Sequence, residues 1–380
     1  MKRPLRVYFD NAASFQPDPK TLGHYYTFAS RFYENQEAAH SLAYELRQKV
    51  DLAAEQLSDA LAGEGSFVRW GHSGTGLFCL LGDFPGFKNE NIVTTPMEHP
   101  ALAAALKRTG AEIREVKIKN GLVDLDNLTE LLDKETVLTA IHHVQSETGV
   151  IQNLPAIRRI IDEKAPQSIF MSDTIQSAGK LDIPWTETKL DIISVSGHKI
   201  GSANGGALLL NKKNPRLGGL AEYLKLCRKE YYTESRPEPA ATLGLAWGIV
   251  KAYKEKSKNL DKVNKINSFL RDKLSGQKLP NGKKIIITVP EELASPYILH
   301  FIVPGFQSGV LVRMLSEESV YFSAGSACLS ETDKPSAALT AMGFDKNDAY
   351  AGVRLSFSPQ NTMLHAEIFL DKLQKALLNY

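Results

Sequence analysis

Short apolar runs, each followed by a stretch of helical periodicity, constrain this chain more than any other feature. Asn91–Thr95, Thr136–Val144, Ser168–Ser172, Ile192–Ser196 and Gly206–Leu210 are such runs, and Leu154–Glu163 is an amphipathic segment between two of them. Runs this short and this apolar belong to strands covered on both faces, which points to an α/β fold with a mostly parallel central sheet. Ligands of such a sheet bind outside the carboxyl ends of its strands. At 380 residues the chain has room for one large domain and a smaller one. Over Leu243–Lys273 the composition shifts to a long helix-forming stretch rich in Ala, Leu and Lys. Beyond it come strand-like Lys284–Val289 and Tyr297–Val303, a helical Val310–Glu317 and a final amphipathic helix over Thr362–Leu378. This pattern predicts a large domain over 15–252 and a smaller C-terminal α+β domain over 253–380, with segment 1–14 packing near the latter.

The totals exclude several classes. A formal net charge of +2 gives no reason to expect nucleic acid or a membrane surface as the main partner. The basic stretch Lys251–Lys273 alternates with apolar and acidic residues and reads as a solvated helix face. No apolar run reaches the roughly 18 residues that span a bilayer, and the basic start Met1-Lys-Arg is not followed by the apolar stretch of a secretory signal. Cys79, Cys227 and Cys328 are odd in number and far apart, which fits neither a disulfide framework nor a metal site. A cytoplasmic location is the expectation.

The chemistry gathers at strand ends. Lys199 follows the run Ile192–Ser196 and precedes the small-residue loop Gly201–Gly206, with Ser196 and His198 beside it. An amine in a closed cleft is partly desolvated and so can attack a carbonyl near neutral pH. The preceding run ends in Asp173, and a buried acid needs a partner. A pyridinium nitrogen would supply one and would keep such a ring protonated as an electron sink. The competing reading of Asp173 is a helix N-cap. Gln176 lies one helical turn on, within reach of a ring oxygen. Upstream, Gly71-His-Ser-Gly-Thr-Gly76 opens a helical stretch and offers N–H groups to an anion. His99, after the run Asn91–Thr95, could stack on a flat ring and shuttle protons, a catalytic role.

Taken in order, these motifs resemble the class V aminotransferase superfamily and, within it, the cysteine desulfurases. The resemblance runs nearly end to end: Tyr8-Phe-Asp-Asn-Ala-Ala13, Ser73-Gly-Thr-Gly76, Glu98-His99-Pro-Ala, Asp173-Thr-Ile-Gln-Ser-Ala-Gly-Lys180, Ser196-Gly-His-Lys199, Ser323-Ala-Gly-Ser-Ala-Cys328 and Gly352-Val-Arg354-Leu-Ser-Phe-Ser358. It implies fold-type-I architecture, a homodimer with sites at the subunit interface, and pyridoxal 5'-phosphate (PLP) on Lys199. It further implies that Gly74, Thr75, Gly76, Ser196 and His198 hold the phosphate, that Asp173, Gln176 and Ser146 contact the ring, and that His99 stacks on it. Arg354, with Asn11 of the opening motif, would bind the substrate carboxylate, a task suited to a planar guanidinium.

Cys328 decides the reaction that this resemblance implies. It lies among small polar residues with no apolar periodicity, so packing does not account for it. In a desulfurase its thiolate would take sulfur from L-cysteine, leave alanine, and carry a persulfide to an acceptor. The spacing from Cys328 to Ala341-Met-Gly343 resembles the long-loop group, which serves iron–sulfur scaffolds or tRNA-thiolating enzymes. Three positions depart from the family pattern. Gly76 stands where threonine is usual, Ser146 where asparagine is usual, and Glu234–Pro239 matches only at Arg236. Each missing bond to a charged group would cost about 1.5–3 kcal/mol. The alternative reading is another class V PLP enzyme, an aminotransferase or a selenocysteine or cystine lyase, in which Cys328 is incidental.

Overall fold

The structure, a computed structural model, describes residues 5–62, 66–227, 237–325 and 335–380. Its first ten strands are β1 (Val7–Tyr8), β2 (Ser66–Gly71), β3 (Asn91–Thr94), β4 (Glu112–Glu115), β5 (Ile118–Lys119), β6 (Leu122–Val123), β7 (Thr136–Ala140), β8 (Ile169–Asp173), β9 (Ile192–Ser196) and β10 (Gly206–Asn211). The last five are β11 (Ile286–Ile287), β12 (Ile298–Ile302), β13 (Val320–Tyr321), β14 (Ser323–Ala324) and β15 (Gly352–Ser356).

Seven strands form the central sheet in the order β2-β10-β9-β8-β7-β3-β4. All neighbours from β9 to β4 are parallel, and β10 alone runs against both β9 and β2. The expected α/β fold with a mostly parallel sheet is therefore present. Strands β8 and β9 are buried at every residue, because helices cover both faces. The period of two separates those faces. Phe170, Ile193 and Leu209 join a core with helices Ser41–Leu61 and Leu154–Lys164, while Met171, Ile192 and Leu208 face helices Gly74–Gly82 and Pro100–Arg108. Truncating a fully buried side chain such as Phe170 to alanine would cost about 3–5 kcal/mol.

A second, antiparallel sheet has the order β11-β12-β15-β14. Helices Lys256–Leu274 and Met363–Leu378 cover it, with Leu270, Leu299, Leu355 and Phe369 in its core. The N-terminal segment belongs to this core. Strand β1 pairs in parallel with β13, and Phe9 packs edge-on against Phe357 at 5.3 Å.

Three elements differ from the sequence expectation. Leu243–Lys273 is not one helix but parts of two, Pro239–Lys254 and Lys256–Leu274, broken at Glu255 (φ −91°, ψ 1°). The first packs Leu245 and Ile249 on the central sheet and the second packs Ile266 and Leu270 on the other, and one straight helix could not serve both cores. The run Thr136–Val144 leaves the ladder after Ala140, and His142 and Val144 line a cavity instead. Within Lys284–Val289 only Ile286–Ile287 is regular strand.

Candidate active site

Because β3, β7, β8 and β9 are parallel, their carboxyl ends share one edge of the sheet. Strand β2 ends there too, and β10 starts there, with Gly206 opposite both Gly71 and Ser196. At this edge lies a cavity of about 270 Å³ lined by Ser73, Gly74, Thr75, His99, Ser146, Asp173, Gln176, Ser196, His198, Lys199 and Arg354, among others. A larger groove of 860 Å³, bordered by Arg47, Trp70 and Lys212, contains none of these groups.

Lys199 ends the short turn Gly197–Lys199 after β9. The turn needs glycine at 197, since a Cβ there would lie 1.9 Å from the Ala203 carbonyl oxygen. The Lys199 amine donates to the Ala12 and Ala13 carbonyls at 2.9 and 2.8 Å. Burial, followed by the nearby Arg354 cation, pushes its pKa down to about 8, against the pull of Asp10 and Asp173.

Asp173 ends β8. Its Oδ1 accepts from the Ser194 hydroxyl at 2.7 Å and from Ile175 N at 3.0 Å. Residues 175–180 form turns rather than an α-helix, so Asp173 caps no helix. Burial raises its pKa, opposed by those two bonds. Gln176 lies beyond it and donates from Nε2 to the Ala12 carbonyl at 3.0 Å.

The opposite end of the cavity is built for an anion. Ser73 caps helix Gly74–Gly82, its Oγ accepting from Gly76 N at 3.1 Å, while Leu77 N bonds the Ser73 carbonyl. The N–H groups of Gly74 and Thr75 are left for a ligand. Gly76 is thus spent on the cap and does not line the cavity. Ser196 Oγ lies 3.1 Å from His198 Nδ1 beside this helix end, and burial lowers the His198 pKa, with Lys199 adding to it.

His99 caps helix Pro100–Arg108, its Nδ1 accepting from Ala101 N at 3.2 Å, so the proton of the neutral ring sits on Nε2. Its chain neighbour Glu98 is held by three donors on Oε1: Thr95 Oγ1, His142 N and His142 Nδ1, at 2.8, 3.0 and 2.8 Å. Ser146 follows Gln145, whose Oε1 accepts from Glu147 N and Thr148 N and fixes the turn. Arg354, in the middle of β15, donates from Nη1 to the Ser146 carbonyl and from Nη2 to Asp10 Oδ1, while its buried Nε has no partner among the described residues.

Asn11 is not brought into the cavity. It is buried, and its amide donates to the Ser356 carbonyl at 2.9 Å, tying the N-terminal segment to β15. Cys328 and Arg236 lie outside the described residues. A second cavity of 240 Å³ adjoins the first through His99, Ser146 and Arg354, and is bordered by Ser323, Ala324 and Gly325, which lead toward Cys328 in the sequence. Sequence reasoning missed the Ala12 and Ala13 carbonyls, Asp10 and the Glu98–His142 pair. The doubled His142-His143 past the end of β7 was the available signal, since strand ends had already marked the site.

A family model described as Aminotransferase class-V matches residues 7–369. The chain belongs to the class-V aminotransferase family. Curated relatives that it matches include cysteine desulfurases. It is 27% identical to the cysteine desulfurase IscS of Vibrio campbellii (strain ATCC BAA-1116), over 98% of this chain and 93% of that protein. It is likewise 27% identical to the IscS of Vibrio atlanticus (strain LGP32), over 93% and 88%. Among solved structures, a NifS-like protein superposes with a TM-score of 0.84 at 25% identity, over 99% of this chain and 100% of that one. The NifS-like protein from Rickettsia africae ESF-5 also reaches 0.84, at 23% identity, over 99% and 100%.

The family implies PLP, and the residues present fit it. The buried Asp173 has both bonds on Oδ1, so Oδ2 is available to a ring nitrogen. The anion cup is shaped by glycines, since a Cβ at Gly206 would lie 2.9 Å from Gly74 N. Between them sits a lysine with a lowered pKa.

Proposed function

We propose that this protein is a PLP-dependent cysteine desulfurase that converts L-cysteine to L-alanine and passes the sulfur to Cys328 as a persulfide. One observation carries the reading: the Lys199 amine, held by two backbone carbonyls, lies in a single cavity with a buried carboxylate, an anion cup and a guanidinium. PLP, when bound, supplies an electron sink for negative charge developing at the substrate Cα.

The other roles fall to the chain. Gly74, Thr75, Ser196 and His198 hold the phosphate, Asp173 and Gln176 contact the ring, and His99 stacks on it. Arg354 binds the substrate carboxylate, since its bonds to the Ser146 carbonyl and Asp10 take only part of the donor set of its guanidinium. Lys199, poised near neutral pH, moves the Cα proton. Cys328 Sγ then attacks the substrate sulfur. The Cβ–S bond breaks, an S–S bond forms on Cys328, and Cβ gains a proton to give alanine. A thiol reductant releases the sulfur as sulfide when no acceptor protein is present.

A homodimer, a sulfur-acceptor protein and a cytoplasmic location belong to the same proposal. The described residues contain no helix long and apolar enough to cross a membrane. The test is production of sulfide and alanine from L-cysteine by the wild type and by Cys328→Ala. Sulfide from the wild type alone supports the persulfide step. Equal production by both would sink it and favour a lyase in which Cys328 is incidental.

A further inference from the structure

Lys180 is a second buried lysine beside the cavity, and the reaction just described does not use it. It is 4% exposed, and its amine lies 3.2 Å from Gln176 Oε1, with the ring centroids of Phe15 and Tyr297 each 5.7 Å away. Burial, then the cations of Lys199 and Arg354, push its pKa down to about 7, and no carboxylate pulls the other way. Methionine would fill the same space without that penalty, so packing does not explain an amine at this position.

Its hydrogen bond does. Gln176 Nε2 donates to the Ala12 carbonyl at 3.0 Å, and the same carbonyl accepts from the Lys199 amine at 2.9 Å. A continuous path therefore runs from Lys180 through Gln176 and Ala12 to Lys199. It also fixes the Gln176 amide. The Ala12 backbone carbonyl only accepts, so it holds the amide nitrogen, and the amide oxygen is thereby turned to accept from the Lys180 amine. The second N–H of Nε2 is then what Gln176 offers to the cavity that it lines.

We propose that Lys180 is a positioning residue that locks Gln176 as a hydrogen-bond donor to the ring oxygen of the cofactor. The assignment rests on the PLP reading above. A donor on the ring oxygen stabilises its anionic form and competes with its pairing to the neighbouring nitrogen contributed by Lys199. Without that donor, this nitrogen keeps its proton to higher pH.

The experiment is a pH titration of the visible absorbance of the PLP-loaded protein, together with a PLP binding titration of the apoprotein. Lys180→Met is expected to move the spectral midpoint upward by about 0.5–1 pH unit and to weaken PLP binding about 3–10-fold. Gln176→Ala is expected to do the same, and Lys180→Met in the Gln176→Ala background to add nothing further. Lys180→Gln is too short to span the gap to Gln176, and it must shift the midpoint in the same direction if Lys180→Met does not fold. An unshifted midpoint in these variants, or full additivity with Gln176→Ala, overturns the assignment while the PLP reading stands. A wild type with no visible band dependent on Lys199 overturns both.

Discussion

Arg354 reaches from the antiparallel sheet to Asp10, its Nη2 donating to Asp10 Oδ1 at 2.8 Å, so one guanidinium joins the N-terminal segment to the cavity wall. With Nη1 on the Ser146 carbonyl, the fork is held in place before any substrate binds. Arg354→Lys replaces it by a point charge that cannot make these bonds together. The expected loss in kcat/KM for L-cysteine is about 10–100-fold, mostly through KM. Asp10→Asn keeps the bond but not the charge, and should raise KM less. Steady-state kinetics on both variants check the ranking.

Lys199 has a pKa near 8 rather than its ordinary value of 10.5. The neutral, nucleophilic amine therefore accumulates as pH rises through 8. The rate at which pyridoxal couples to the apoprotein, trapped by borohydride reduction, should rise with a midpoint near 8, and Lys199→Ala should abolish it. A midpoint above about 10 would show an ordinary solvated amine.

Asp173 behaves in the opposite sense. Burial raises its pKa, opposed by its bonds to Ser194 and Ile175, so folding disfavours its carboxylate form relative to the unfolded chain. The carboxylate form then lowers stability as pH rises above the unfolded value. Asp173→Asn removes that cost and the ring contact together. The apoprotein should melt at a higher temperature at neutral pH, while PLP affinity falls about tenfold or more. Thermal melts with and without PLP separate the two effects.

Gly206 lies beneath the anion cup, and an added Cβ would meet Gly74 N and Ser73 C, both at 2.9 Å. These are backbone atoms, so the cup itself must move. Gly206→Ala should weaken phosphate binding and destabilise the fold by about 1–3 kcal/mol. Gly218→Ala has nothing within 4 Å of its new Cβ and is the control expected to leave both unchanged. Denaturant melts and PLP titrations on the pair decide the matter.

The central strands were legible because helices on both faces leave them apolar at every position, as in Ile192–Ser196. Edge strand β4, Glu-Ile-Arg-Glu, was not, because its exposed face alternates charge and carries no apolar run. The helix break at Glu255 was invisible for another reason, since two cores dictate it and no local residue does. The residues gathered in the cavity followed from strand ends and glycine-rich turns. What tethers them did not: the Asp10–Arg354 pair spans 344 positions, and the Ala12 carbonyl is a backbone group that no side-chain pattern reveals.

That last tether has a consequence for how the protein is made. The Ala12 and Ala13 carbonyls that cradle Lys199 are held in place by β1 against Val320 and by Asp10 against Ser356. A nascent chain emerges from its start, so one synthesised only as far as Asn211 already contains the lysine and the strands of its central sheet but lacks Val320 and Ser356, which hold the cradle. The Ala12 and Ala13 carbonyls can be fixed against the amine only once residues 320–356 have paired with the N-terminal segment, a closure of very long range. The pocket around the amine is thus closed by contacts between the two extremes of the fold, not by the sheet that carries the lysine.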